Sequence, residues 1–70
     1  MREFGRRLRI LREDAGLRQY QLAMKINASP AAVSTWECNK CEPSMETLVE
    51  IAQLFGVSTD YLLGMTDRKR

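Results

Sequence analysis

The thiols of Cys38 and Cys41 form a C-x-x-C, a spacing that can hold a soft metal ion or cycle between dithiol and disulfide. Two thiolates cannot complete a tetrahedral zinc site alone, and the chain has no histidine to join them. With no βαβ pattern around the pair, coincidence stands ahead of an intersubunit metal site or a redox switch. The carboxylates of Glu42, Glu46 and Glu50 recur every four residues, which sets them along one solvated helix face rather than opposing them for acid–base work. No glycine-rich phosphate cradle accompanies them. No catalytic residue, metal or cofactor is therefore expected, and the chain does not read as an enzyme.

What remains is charge, and it is unevenly placed. Residues 1–40 hold eight bases (Arg2, Arg6, Arg7, Arg9, Arg12, Arg18, Lys25 and Lys40) against four acids. Residues 41–67 hold five acids and no base, and the last three residues are all basic. A formal net charge of +2 hides this division, which suits a polyanion-binding face on one side of the molecule. The basic half must then contain the elements that aim its side chains.

Those elements read as helices throughout, and no strand alternation is visible. Phe4, Leu8, Leu11 and Ala15 recur at helical spacing before Gly16 supplies a stop. A second helix runs from about Arg18 to Ile26. A third has Ser29 as N-cap, Pro30 in its first turn and an end near Glu37. Ser44 caps a fourth, whose stripe of Met45, Leu48, Val49, Ala52 and Phe55 is expected to be buried, with Gly56 beyond. Ser58 caps a short fifth that ends at Gly64, and Val57 with Leu62 has the spacing of a hydrophobic staple. The fold class is all-α: a compact five-helix domain over residues 1–66, with a short basic tail at 67–70 expected to fray.

Seventy residues make one domain, and the 44% hydrophobic content argues against disorder. No run approaches the ~20 apolar residues of a membrane span, and the charged N-terminus lacks a signal-peptide core, so a soluble cytoplasmic protein is expected. Within this domain the second and third helices form a pair over about residues 19–38. Leu22, Ala23 and Ile26 face Val33 and Trp36, and Ala23 is small enough for closest approach of two steeply crossing helices. A helix-turn-helix of this kind serves mainly to insert its second helix into the DNA major groove.

FGRRLRILREDAGLRQYQLAMKI, SPAAVSTWE and EPSMETLVEIAQLFGVSTDYLLG together resemble the Xre family, the phage Cro and lambda-repressor-like helix-turn-helix regulators, across about residues 4–64. The resemblance implies a five-helix lambda-repressor-like domain acting on double-stranded DNA. It also implies roles by position. Pro30, Ala31, Ser34 and Thr35 fall at the base-facing positions of the third helix. Gln19 matches a phosphate-contacting glutamine, and Asn39 and Lys40 match a phosphate-contacting loop. Arg18, Tyr20 and Ser29 flank these and join the candidate phosphate contacts. Arg12 and Glu37 match a pair joining the first helix to the end of the third.

Four departures from the family pattern bear on function. Arg18 stands where a threonine usually caps the second helix, so that cap bond is lost. Asn27 and Asn39 replace glycines, as the residues next best at tolerating a left-handed backbone. The base-facing residues lack long bidentate readers and instead suit thymine methyl groups through Ala31 and Thr35, with short hydroxyl bonds from Ser34 and Thr35. Thymine-containing half-sites are expected, with part of the specificity from DNA shape. Tyr61, Leu62, Leu63 and Met65 offer apolar area for a homodimer contact. The expected function is a transcriptional repressor binding a near-palindromic operator as a homodimer, without a small-molecule effector. An antitoxin or a protein-interaction adaptor on the same fold is the alternative.

Overall fold

The computed structural model describes the backbone of residues 2–70 and the side chains of residues 3–70. The expected domain start at residue 1, and the side chain of Arg2, lie outside the described residues. Five helices follow in order: α1 (Arg2–Asp14), α2 (Gln19–Lys25), α3 (Pro30–Glu37), α4 (Met45–Phe55) and α5 (Thr59–Leu62), with no strand among the described residues. α3 packs against both α2 and α1, while α5 bridges α1 and α4.

Local chemistry accounts for the boundaries. The hydroxyls of Ser29, Ser44 and Ser58 accept hydrogen bonds from the amides of Ala32, Thr47 and Tyr61, satisfying first-turn donors of α3, α4 and α5. α2 has no side-chain cap of this sort. Instead the Arg18 backbone amide donates to the side-chain Oε1 of Gln21 at 2.8 Å, half of a capping box. All five helices end on a left-handed residue: Gly16, Asn27, Asn39, Gly56 and Gly64, with φ between 56 and 79°. After each, the next amide bonds back to a carbonyl five residues earlier, as in Leu17 to Arg12, Ala28 to Ala23 and Lys40 to Thr35. This repeated closure turns the chain sharply and keeps the connections short.

The core gathers Phe4, Leu8 and Leu11 from α1, Leu22, Ala23 and Ile26 from α2 and its cap, and Val33 and Trp36 from α3. Ile51 and Ala52 of α4 and Tyr61 and Leu62 of α5 complete it. Val57 packs against this core, to which its staple partner Leu62 belongs.

Four expectations change. Ala15 is exposed, because α1 has ended before it. The buried stripe of α4 runs through Leu48, Ile51, Ala52 and Phe55; Met45 and Val49 are exposed, at 85% and 44%, so the helix is rotated by about one position from the expected seam. Tyr61 and Leu62 are core residues and cannot form a dimer surface as the chain folds here; only Leu63, half-buried, and Met65 remain accessible. The tail is tied down rather than frayed. Arg7 donates to the Thr66 carbonyl and to Asp67, and the Ser58 amide donates to the Lys69 carbonyl at 2.6 Å.

Candidate nucleic-acid interface

The helix pair is held by its apolar seam. Leu22 and Val33 are fully buried and Ala23 is 1% exposed, so α2 and α3 meet closely where the side chain is smallest. With Val33 and Trp36 turned inward, Pro30 and Ala31 are exposed and Ser34 and Thr35 half-buried. The four residues expected to face bases therefore lie outside the packed seam. Thr35 has a further constraint: its hydroxyl donates to the Ala32 carbonyl at 2.8 Å, within its own helix. Its donor is spent locally, so it presents to the surface its methyl group and an oxygen that can only accept.

One end of α3 is fixed to α1 by a two-pronged ion pair. Arg12 Nε reaches Glu37 Oε2 at 2.6 Å and Arg12 Nη2 reaches Oε1 at 3.1 Å. Arg12 Nη1 also donates to the Leu17 carbonyl at 2.8 Å, so the same guanidinium clasps the turn before α2. The Glu37 side chain is only 4% exposed. Its hydrogen bonds raise the Arg12 guanidinium above its ordinary value, against the opposing effect of burial. Glu37 Oε1 also accepts from Gln19 Nε2 at 3.2 Å. A single carboxylate thus sets α1, the start of α2 and the end of α3 relative to one another.

Around α3, Arg18, Tyr20, Ser29 and Lys40 are exposed, and Gln19 is half-buried beside Glu37. The Ser29 oxygen accepts the cap bond from Ala32, which leaves its O–H free to donate outward. Asn39 turns its amide carbonyl inward, where it accepts from the Gly5 amide of α1 at 3.2 Å. That contact caps a first-turn donor of one helix from the loop that follows another.

Two structural residues escaped the sequence reading. A Cβ built on Gly5 would lie 2.7 Å from both the Trp36 and Glu37 carbonyls, so only glycine lets α1 approach the end of α3. A glycine inside a helix, at a cost of about 1 kcal/mol against alanine, is the signal that marks such an approach. Arg7 is 7% exposed; it donates to the Tyr61 and Thr66 carbonyls, pairs with Glu3 and Asp67, and lies 4.5 Å over the Tyr61 ring. Nothing in its neighbours along the chain sets it apart from Arg6 or Arg9. Cys38 and Cys41 are free and exposed, and no group of three or more metal-ligating side chains occurs among the described residues.

A five-helix all-α domain that displays one face of α3, with bases and amides around it, defines a helix-turn-helix module. The chain belongs to the helix-turn-helix family, whose model matches residues 8–62. It is 40% identical over 60 residues, 86% of its length, to the HTH-type transcriptional regulator ImmR of Bacillus subtilis (strain 168), and 43% identical over 61 residues, 87% of its length, to the HTH-type transcriptional activator BcrR of Enterococcus faecalis. It spans 47% of the first relative and 30% of the second. The crystal structure of the P22 c2 repressor in complex with a synthetic operator is similar with a TM-score of 0.82 and 32% identity, over 89% of this chain and 94% of that one. The lambda-repressor-like architecture expected from the sequence is thus the observed one.

Proposed function

We propose that this chain is a sequence-specific double-stranded-DNA-binding transcriptional regulator, acting as a repressor with α3 in the major groove. The observation that carries the reading is the exposed Pro30–Ala31 and Ser34–Thr35 face, held on a buried seam and flanked by exposed Arg18 and Lys40. Arg18, Gln19, Tyr20, Ser29 and Lys40 supply phosphate contacts that set register, while the α3 face reads base edges. Asn39 acts from behind, by fixing the loop that carries Lys40. That the similar P22 c2 repressor was solved in complex with a synthetic operator supports double-stranded DNA as the partner.

The operator is a near-palindrome and the protein a homodimer. One copy measures 27 × 23 × 20 Å. Two successive major-groove faces lie about 34 Å apart, so reading both takes two recognition helices. The dimer contact is drawn from Leu63 and Met65 together with Met45. Leu63 and Met45 line one shallow groove of about 270 Å³ with Phe4, Pro43 and Leu48. Repression follows from occupying DNA that polymerase needs.

Gel-shift titration against genomic fragments at two salt concentrations tests the proposal. A discrete band that weakens steeply with salt supports it, since each phosphate contact contributes about −0.9 to the slope of log K against log salt. No binding at low salt refutes it and points to an adaptor that has kept the scaffold without base readout.

A further inference from the structure

We propose that Cys38 and Cys41 close into a reversible disulfide that pulls the loop after α3 off α1 and thereby weakens DNA binding. Both thiols are exposed and unbridged. Cys38 is the C-cap of α3, Asn39 then adopts φ 59°, and the chain bends again at Lys40 and Cys41. The chain therefore turns sharply between the two cysteines.

The residues enclosed by that span have specific work. Asn39 accepts the Gly5 amide hydrogen at 3.2 Å, and the Lys40 amide closes α3 on the Thr35 carbonyl at 3.0 Å. A disulfide holds its two Cα atoms at about 4.4–6.8 Å with a restricted torsion. The ring that such a bond closes runs through the backbone of Asn39 and Lys40, so the torsional constraint falls on those two residues. α1 does not follow, because Phe4 and Leu8 on either side of Gly5 anchor it in the core. The Asn39–Gly5 bond breaks, and Lys40 leaves the position from which it meets a phosphate.

A low-molecular-weight disulfide is the oxidant. One cysteine thiolate attacks it, forming a mixed disulfide and expelling one thiolate. The second cysteine thiolate attacks the protein sulfur of that mixed disulfide and expels the other. Two protein thiols are oxidised, one external disulfide is reduced to two thiols, and the two protons lost by the cysteines are taken up, through solvent, by the two thiolates released.

The effect on DNA rests on the proposed function; the effect on the Gly5 amide does not. Equilibration with glutathione and glutathione disulfide should give a monomer lighter by the pair of hydrogens lost. In that oxidised form the Gly5 amide should shift in its NMR position and exchange faster with solvent. Affinity for a selected DNA site should fall roughly three- to tenfold, with a salt slope smaller by about 1, and dithiothreitol should reverse both. Cys38→Ser and Cys41→Ser should keep the affinity of the reduced protein and ignore the couple. Mixed or intermolecular disulfides alone, an unshifted Gly5 amide, or equal affinity in the two states would overturn the proposal. Should the reduced protein bind no DNA, the proposed function falls, and the Gly5 amide alone decides whether the loop is redox-responsive.

Discussion

Glu37 illustrates how much a single side chain organises here. Its two oxygens are bonded to Arg12 and its Oε1 also to Gln19, in a setting where its side chain is 4% exposed. A buried pair of this kind adds little net stability, yet removing one partner leaves an uncompensated buried charge that costs about 3–5 kcal/mol. Glu37→Ala should accordingly lower the melting temperature before it alters DNA contacts, and native-like thermal stability in that variant would refute the role. The pairing was visible beforehand only through the family resemblance, because nothing in the spacing of residues 12 and 37 requires it. Thr35 shows the opposite case. Its hydroxyl direction depends on whether the Ala32 carbonyl is within reach, which composition does not reveal. Since that donor is already used, Thr35→Val should retain thymine preference, whereas Thr35→Ser should lose about 1 kcal/mol of discrimination at the base it touches. Competition binding with single-base operator variants measures both.

At the level of elements, helix starts were the most legible feature. Ser29, Ser44 and Ser58 are short-side-chain caps ahead of apolar periodicity, and each makes the cap bond. The seam of α4 was less so. Met45 and Val49 fit the same spacing as Leu48 and Ala52, and only packing against the other helices decides which stripe turns inward. Asn39 stands in for a glycine conformationally, with a φ of 59°. That its amide carbonyl also caps α1 is a tertiary contact across 34 positions, which no local pattern encodes. The close approach at Gly5 makes a sharp expectation. Gly5→Ala places a methyl group against backbone carbonyls that cannot swing aside, and should destabilise by about 1–3 kcal/mol despite its better helix propensity. Asn39→Gly should be milder than Asn39→Ala, since glycine keeps the left-handed turn while both lose the cap. Chemical denaturation of the three variants ranks them directly.

Taken whole, the molecule divides as its charges do: the half rich in arginine and lysine contains α1, α2 and α3, and the acidic stretch contains α4 and α5. Arg7 stitches the two halves and the tail together through Tyr61, Thr66 and Asp67. Asp67 is 99% exposed, so its pair with Arg7 is screened and Asp67→Ala should cost less than about 1 kcal/mol. Arg7→Ala removes the carbonyl contacts and the ring contact together, and should destabilise several times more in the same thermal melts. The five-helix architecture followed from the sequence because its helix boundaries rest on periodicity and caps. The dimer surface did not, since apolar residues at a terminal helix serve core and interface alike, and Tyr61 and Leu62 proved to be core. In the proposed complex α3 delivers a small, methyl-rich face to the DNA major groove in two copies. In vitro selection of bound duplexes tests it most directly. Selection should enrich a near-palindrome with thymine-containing half-sites centred about one helical turn apart. A guanine-dominated consensus would contradict the assigned α3 face, and a pool that never enriches would contradict DNA binding itself.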